Sequence, residues 1–255
     1  MKKNTKKIVT AAGIAAGTAA VASLSAYVTI KALIDTALDR EMPKVMEKAD
    51  KRISGEKSSD EFTNRMESAS ESLAVQPNET VEIIAHDGEK LVGHYFPCEK
   101  PERVIIAFHG WRSSWHRDFG MISDFWYKNN CSVLYVEQRG QNNSSGEYMG
   151  FGLTERFDCL DWLNWEIERC GSDIPVYLAG VSMGATTVLM AAGLQLPPNV
   201  HGIMADCGFT SANAIWEHIA KDNLHIRFGI RSAIADRMCR RKIQVGSKEH
   251  STVEA

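Results

Sequence analysis

The stretch PVYLAGVSMGATTVLMAAGLQL, residues 175–196, decides the fold of this chain. It begins with an apolar run of strand length, Pro175–Val181, and continues into an apolar segment of helical length, Gly184–Leu196. The junction reads Gly180-Val181-Ser182-Met183-Gly184. A serine on a sharp strand-to-helix turn needs glycine two positions before and after it, because larger side chains would collide within the turn. This pattern predicts that Ser182 is a nucleophile, and the N-terminus of the following helix would favour negative charge developing beside it.

Strands and helices alternate along most of the chain. Two runs at residues 81–84 and 91–96, joined by Asp87-Gly88, predict a β-hairpin. Continuous apolar runs of strand length follow at Arg103–Phe108, Cys131–Val136 and Val200–Ala205. Two helical patterns between these runs have their predicted core positions at Phe119, Ile122, Trp126, Phe157, Leu160, Leu163 and Ile167. Strands that alternate with helices predict an α/β fold with a doubly wound, mostly parallel sheet of about six strands.

Composition restricts the class of protein. The chain has 255 residues, 44% of them hydrophobic, and a formal net charge of −3. That balance suits one globular domain and excludes a disordered or collagen-like chain. It also argues against a nucleic-acid-binding protein, which normally carries an excess of basic residues. The six cysteines lack the spacing of a metal site, so free thiols are favoured, with one or more disulfides as the alternative.

Residues 1–31 predict a signal anchor or a signal peptide. Residues 8–30 carry no charge, are long enough to cross a bilayer as a helix, and follow four lysines. By the positive-inside rule the body would lie outside the cytoplasm, held at the cell membrane. Cleavage near Ala20-Val21-Ala22 is the alternative and would give a secreted protein. We expect a polar stalk over residues 32–75 and the catalytic domain over residues 76–255.

A second motif, His109-Gly110-Trp111, follows the predicted strand at Arg103–Phe108. Acyl transfer requires backbone N–H groups directed at the oxyanion of the tetrahedral intermediate. Beside a nucleophile on such a turn, one N–H comes from the next residue, here Met183, and another from the loop after an earlier strand, here Trp111. His109 lies within this turn rather than late in the chain, so we interpret it as structural. This chemistry implies no metal and no organic cofactor.

Further motifs extend the pattern, and the whole set resembles the α/β-hydrolase superfamily in type and order. They are Phe108-His109-Gly110-Trp111, Glu137-Gln138-Arg139-Gly140, Asn143-Ser144-Ser145-Gly146, Gly180-Val181-Ser182-Met183-Gly184 and Ala205-Asp206-Cys207-Gly208-Phe209-Thr210-Ser211. The resemblance covers residues 81–255 and is closest to bacterial membrane-anchored hydrolases of the serine aminopeptidase and prolyl-oligopeptidase-like branch. One departure is Glu137, where the superfamily usually has aspartate.

The resemblance implies a triad acid after a seventh strand and a histidine after an eighth. The sequence instead enters a charged, helix-like region at Arg227–Lys242, so we expect the domain to be incomplete at its C-terminus. Asp206 follows the sixth strand at a position that some members use for the acid, although a structural role is favoured for it. The remaining candidates for the general base, none of them in a favourable position, are His201, His218, His225 and His250.

The expected function is that of a serine hydrolase. Ser182 would form an acyl-enzyme with carboxyl esters, thioesters, or small peptides and amides. Residues 209–239 would form part of a lid over an apolar pocket, although their apolar side chains are more simply interpreted as helix core facing the sheet. An acyltransferase with the same site is one alternative. A non-catalytic, membrane-tethered binding module is another, and the missing triad members favour it. The expected partners are a small-molecule substrate and a membrane, contacted through residues 8–30, with no nucleic acid; the oligomeric state stays open.

Overall fold

A single six-stranded sheet organises the part of the chain that the computed structural model describes, which is residues 24–42, 60–223, 225–229 and 231–254. Its strands are β1 (Glu79–Ile84), β2 (Lys90–Phe96), β3 (Arg103–Phe108), β4 (Cys131–Glu137), β5 (Val176–Val181) and β6 (Val200–Asp206). They lie in the order β1-β2-β4-β3-β5-β6. β2 pairs antiparallel with β1 and β4, and the other neighbours are parallel. The predicted hairpin and mostly parallel sheet are confirmed.

Helices cover both faces of the sheet. Within the described residues they are α1 (residues 24–38), α2 (Glu61–Ala74), α3 (Trp115–Lys128), α4 (Glu155–Cys170), α5 (Met183–Ala192), α6 (Ala212–His218) and α7 (Arg231–Ile243), and a π-helical turn, Ile219–Asn223, follows α6. Strand β3 has apolar side chains on both faces of the sheet, and helices bury each set. Ile105 and Ala107 pack with α2 and α3, whereas Ile106 and Phe108 pack with α4 and α5.

The buried faces of two helices differ in part from the prediction. In α3, Phe119 and Trp126 are buried as expected, but Ile122 is 37% exposed. In α4, Leu163 is buried, whereas Phe157, Leu160 and Ile167 are only partly so. The buried face of α4 is instead formed by Glu155, Arg156, Asp158, Cys159, Trp162, Leu163 and Glu166. The spacing of apolar residues could not predict this face, because four of its seven buried side chains are charged.

Two helices before the predicted catalytic domain pack on the body: α1 begins within the predicted anchor, at residue 24, and continues into the predicted stalk, and α2 lies in the stalk. Helix α1 buries Ile30, Ile34 and Leu38, and α2 buries Leu73 against β3, β4 and α3. Residues 43–59 lie outside the described residues, as do residues 8–23 of the predicted anchor. No helix in the described ranges is long and apolar enough to cross a membrane.

The cysteines are free thiols, as the sequence favoured. Cys131, Cys159 and Cys239 are buried, and Cys207 is exposed. Burial raises the pKa of the Cys239 thiol to about 12, which keeps it protonated and unreactive at neutral pH.

A buried ion pair joins β4, α4 and the hairpin. The Arg139 guanidinium donates two hydrogen bonds to the Asp158 carboxylate, one of them Nε to Oδ2 at 2.6 Å, and a third to Asp87 Oδ2 at 2.7 Å. The side chains of Arg139 and Asp158 are 8% and 3% exposed. Their fork-to-carboxylate geometry satisfies both charges, which neither could achieve alone at this depth.

We predict that Arg139→Met destabilises the fold by about 3–5 kcal/mol, because it leaves Asp158 buried without a counter-ion. The matched control is Lys128→Met, which removes an exposed pair with Asp124 and should change the free energy of unfolding by less than about 1 kcal/mol. Urea unfolding followed by circular dichroism measures both. Equal losses in the two variants would contradict the assignment.

A second buried carboxyl, Glu166 of α4, has no such partner. The residue is 1% exposed, and neither carboxyl oxygen forms an ion pair within the described part of the chain; the neighbour able to donate to it is the Cys170 thiol, a weak donor. Burial therefore raises its pKa from the ordinary 4.5 to about 7. Below pH 4.5 the group is neutral whether the chain is folded or unfolded. As the pH rises to 7, the unfolded chain loses the proton first, so this group lowers the stability of the fold.

We predict that Glu166→Gln stabilises the protein at pH 8 relative to pH 4, by about 3 kcal/mol for a shift of this size. The gain should develop between pH 4.5 and 7 and then level off. Free energies of unfolding in urea at several pH values test it, with the exposed Glu168→Gln as the control. A gain that does not change with pH would refute the titration of Glu166.

Candidate active site

The Gly-x-Ser-x-Gly turn and the His-Gly turn meet at the carboxyl edge of the sheet. The chain leaves β3 towards β4 on one side and leaves β5 towards β6 on the other, so the neighbours β3 and β5 form a topological switch point, where α/β sheets bind ligands. Phe108 of β3 pairs with Gly180 of β5. A methyl group added to Gly110 would lie 3.4 Å from the Ser182 Cβ, so the two turns are in contact.

Ser182 lies on a strained turn. Its backbone has φ 52° and ψ −111°, a region that non-glycine residues adopt only where the surroundings impose it. The flanking glycines are required by close contacts. A Cβ on Gly184 would lie 1.9 Å from the Phe108 carbonyl oxygen, and one on Gly180 would lie 2.3 Å from the Gly184 oxygen. The predicted elbow is therefore present, and it holds Ser182 half-buried between β5 and α5.

Both predicted oxyanion residues lie beside Ser182. Met183 is the first residue of α5, where a backbone N–H has no acceptor within the helix and the helix dipole is positive. Trp111 follows Gly110 in the adjoining turn. The turn is fixed by Asp118 of α3, whose carboxylate accepts from Gly110 N at 2.6 Å and from the Ser113 hydroxyl at 2.6 Å. Sequence reasoning missed Asp118, although an acidic residue in the first turn of a helix was a signal for it.

His109 is structural, as its position in the turn suggested. Its ring is fully buried, and Nδ1 lies 2.8 Å from the Gly110 carbonyl oxygen, to which it can donate. Nε2 then accepts from Gln138 N at 3.3 Å and from the Asn142 amide at 3.2 Å. Burial lowers the pKa of the ring and keeps it neutral. Since both nitrogens are bonded to neighbouring loops, this ring is not directed at Ser182.

The motif that begins at the end of β4, Glu137-Gln138-Arg139-Gly140, connects the two turns of the site. The Gln138 amide donates to the His109 carbonyl, and its oxygen accepts from the Thr187 hydroxyl of α5 at 3.0 Å. Glu137, the departure from aspartate, accepts from His94 Nε2 at 2.8 Å and from Asn143 N at 2.6 Å. These residues link β2, the turn after β3 and α5 in one network.

The remaining candidates for a triad are not brought to Ser182. His201 lies at the start of β6, about 17 Å from the serine at 3.3 Å per strand residue. His218 bonds the Asp222 carboxylate at 2.8 Å, and His225 is exposed. His250 lines a cavity beside Met190 and Arg156, further along α5. Among the described residues, no histidine makes a hydrogen bond to Ser182.

Asp206 contributes a backbone contact to the site. Its carbonyl oxygen accepts from Ser182 N at 2.8 Å, which extends the pairing of β5 and β6 to the nucleophile. Its side chain is exposed. No histidine pairs with this carboxylate within the described ranges, and the contact with Ser182 is made by the backbone. The structural role favoured from the sequence, a carboxylate that holds the following loop, stays a prediction.

The C-terminal end of α1 is held by the turn that carries Trp111. The Trp111 indole donates to the Ala37 carbonyl at 2.9 Å. The Arg112 guanidinium donates to the carbonyls of Thr36, Asp39 and Arg40 at 3.1, 2.5 and 2.9 Å. Carbonyls at a helix C-terminus lack intrahelical donors and carry partial negative charge, so a cation is well placed there. No motif or pattern in the sequence indicated that this segment reaches the site.

Helix α1 also closes an apolar cluster beside the nucleophile. Its buried Ile34 and Leu38 pack in one core with Met183, Phe151 and Trp216. Ring centroids of Trp111 and Phe151 are 6.4 Å apart. The segment predicted to cover a pocket, residues 209–239, contributes Trp216 and Phe228 to the same cluster. The apolar residues near Ser182 thus come from both ends of the chain.

Comparison with solved structures confirms the fold. An esterase of Pyrococcus furiosus is similar with a TM-score of 0.52 and 21% identity, over 64% of this chain and 61% of that one. DcsB, in complex with its substrate analogue, gives a TM-score of 0.50 and 17% identity over 65% and 54%. The α/β hydrolase GrgF of a Penicillium species gives 0.48 and 17% over 70% and 71%.

These similarities establish that the chain has the α/β-hydrolase fold, as its motifs predicted. The chain spans 52% to 61% of the length of the Pyrococcus esterase in its crystal forms. No protein-family model matches the sequence. No curated protein matches it at a significant level. The serine aminopeptidase-like subtype therefore stays a prediction.

We predict that Arg112→Met loosens the Trp111 turn. Hydrogen exchange of the amides at residues 110–113 should accelerate by about tenfold or more, since the loss of one charge-assisted contact is worth about 1.5 kcal/mol. The matched control is Arg40→Met. Arg40 binds the Asn142 and Ser144 carbonyls, so exchange should rise around those residues instead. Identical exchange patterns in the two variants would contradict a specific clamp.

Proposed function

We propose that this protein is a serine hydrolase that forms an acyl-enzyme on Ser182. The observation that supports it most is the backbone of Ser182, held at φ 52° on a glycine-flanked turn against Gly110. Maintaining this conformation is unfavourable by about 1–3 kcal/mol, and such strain is concentrated at functional sites. The similar structures, an esterase among them, support a hydrolase at a coarse level.

In the proposed reaction, Ser182 Oγ attacks the carbonyl carbon of a carboxyl ester, a thioester, or a small peptide or amide. The oxyanion that forms lies against the N–H groups of Met183 and Trp111. Ser182 loses its hydroxyl proton as it attacks, and collapse of the intermediate expels the alcohol, thiol or amine, which takes up that proton. Water then attacks the acyl-enzyme, releases the carboxylic acid and restores the hydroxyl. Transfer of the acyl group to an alcohol at the same site would make the protein an acyltransferase.

The apolar cluster indicates which part of the substrate the site would prefer. Trp111, Phe151 and Phe209 lie together beside the turns, with ring centroids of Phe151 and Phe209 5.8 Å apart. Aromatic side chains of this kind bind apolar groups. We therefore expect an apolar acyl group or leaving group.

A second candidate is a non-catalytic module that uses the fold for binding. It is favoured by the geometry of the histidines, none of which bonds Ser182 among the described residues. A serine without a base is a weak nucleophile at neutral pH, and an oxyanion hole alone gives only residual catalysis. In either case we propose that the predicted anchor at residues 8–30 tethers the chain to the cell membrane with the body outside, or is cleaved to secrete it. Its last residues, 24–30, belong to α1, and Ile30 is buried against the body, so the membrane contact would be made before them.

A fluorophosphonate probe separates the two candidates. We expect it to label Ser182, because only an activated serine beside oxyanion donors attacks phosphorus readily. Intact mass and peptide mapping identify the labelled residue. Labelling should disappear in Ser182→Ala and persist in Ser172→Ala, a change at an exposed position. Failure of the folded protein to label would leave the binding module as the better candidate.

A further inference from the structure

Arg156 is a buried cation without a counter-ion. It lies in the first turn of α4 and is 8% exposed. Its Nε is fully buried and makes no hydrogen bond. The main negative charge acting on it is Glu249, but that carboxylate forms its ion pair with Arg240, and no carboxylate in the described ranges forms an ion pair with Arg156. The contrast with Arg139 is direct, because that buried guanidinium is held by two carboxylates.

Two electrostatic effects make an unpaired cation unfavourable at this position. An arginine side chain stays protonated at any ordinary pH, and burying an unpaired charge is strongly unfavourable. The first turn of a helix is also the positive end of its dipole, so the field of α4 repels the guanidinium. An anion bound beside Arg156 would offset both, because it supplies the missing counter-charge and is itself attracted to the positive end of the dipole. The carboxylate of the preceding Glu155 does not serve, because it accepts from Gly150 N at 2.5 Å and Gly152 N at 2.9 Å.

The guanidinium lines a cavity that could hold such an anion. The cavity has a volume of about 180 Å³, roughly ten times what one water needs. Its lining consists of Arg156, Met190, Gly193, Leu194, His250, Ser251 and Glu254. The Phe157 ring covers one face of the guanidinium at 4.7 Å, which leaves the N–H edge to bind a ligand in its plane.

Other polar groups of the cavity can take part. The Ser251 oxygen accepts from Val253 N at 3.1 Å, so its O–H is able to donate. His250 lies near Arg156, and burial together with that charge lowers the pKa of its ring. A neutral imidazole can donate one N–H to an anion. Glu254 is exposed, so solvent screens its negative charge more than it screens the buried guanidinium.

We propose that this cavity is a binding site for a small anion, a phosphate or carboxylate group held by the Arg156 guanidinium and the Ser251 hydroxyl. The site is separate from the nucleophile, since Met190 lies about 12 Å from Ser182 along α5 at 1.5 Å per residue. The proposal therefore goes beyond the hydrolase function and does not depend on it.

Thermal unfolding at constant ionic strength tests the proposal, with sodium chloride replaced stepwise by sodium phosphate or by sodium acetate. Ligand that binds only the folded state should raise Tm by about 3–5 °C for each tenfold increase above its dissociation constant. The two series show whether the site prefers phosphate or carboxylate. A Tm that does not respond to either anion overturns the proposal.

Two arginines of α4 make a matched pair of variants. Arg156→Met should abolish the response and, in chloride alone, should leave Tm equal to or above that of the wild type, because an unpaired buried charge is removed. Arg169→Met removes an arginine that also stacks on aromatic rings but pairs with Glu79, and it should keep the response. The same anion response in both variants, or a large loss of Tm for Arg156→Met in chloride, contradicts the site.

A measurement on the unmodified protein covers the case in which Arg156→Met does not fold. Binding should broaden the phosphorus resonance of inorganic phosphate in proportion to protein concentration, and acetate should reverse the broadening by competition if both groups use one site. Absence of broadening, together with no perturbation of the acetate resonance, would also overturn the proposal.

Discussion

The close approach of β3 and the turn after β5 is the constraint on which the rest of the site depends. Gly184 sits directly against the carbonyl of Phe108, with space for a hydrogen atom and nothing larger. Because the strands are this close, Ser182 is forced into a strained backbone conformation and Gly110 lies against its Cβ. Met183 and the turn that carries Trp111 are thereby brought to one serine. The network through Gln138, which bonds both the His109 carbonyl and Thr187, holds the two turns in that relation.

Charge burial explains much of what lies around this constraint. Arg139, Glu137 and Asp118 are each satisfied by partners from a different part of the fold, so they fix the hairpin, β2 and the Trp111 turn to the sheet. Glu166 and Arg156 lack such partners. Buried groups of this kind reduce stability unless protonation or a ligand compensates. The paired charges therefore stabilise the fold, whereas Glu166 and Arg156 make its stability depend on pH and on bound anions.

The sheet and the elbow could be predicted because they follow from local pattern. Apolar strand-length runs, the hairpin turn and the glycines around Ser182 each express a short-range steric rule. The buried face of α4 could not be predicted, because Asp158 is inside through its pairing with Arg139 and Glu155 through its hydrogen bonds to the backbone of the preceding turn, and apolar periodicity records neither. The packing of helix α1 beside the site could not be predicted either, because the carbonyls at its C-terminal end are bonded by Arg112, which lies more than 70 residues away. The His-Gly turn and Met183 were correctly placed beside the serine, whereas the groups that orient them, Asp118 and Gln138, emerged only from the fold.

The proposed function depends on transfer of an acyl group to Ser182. The most direct measurement is to mix the protein with an activated ester such as p-nitrophenyl acetate, quench with acid within milliseconds to seconds, and locate acetyl groups by peptide mass spectrometry. We expect the acetyl group to accumulate on Ser182, within the peptide that contains it, and to be absent from the Ser182→Ala variant. An unmodified Ser182 in protein shown to be folded, at every time after mixing, would contradict it.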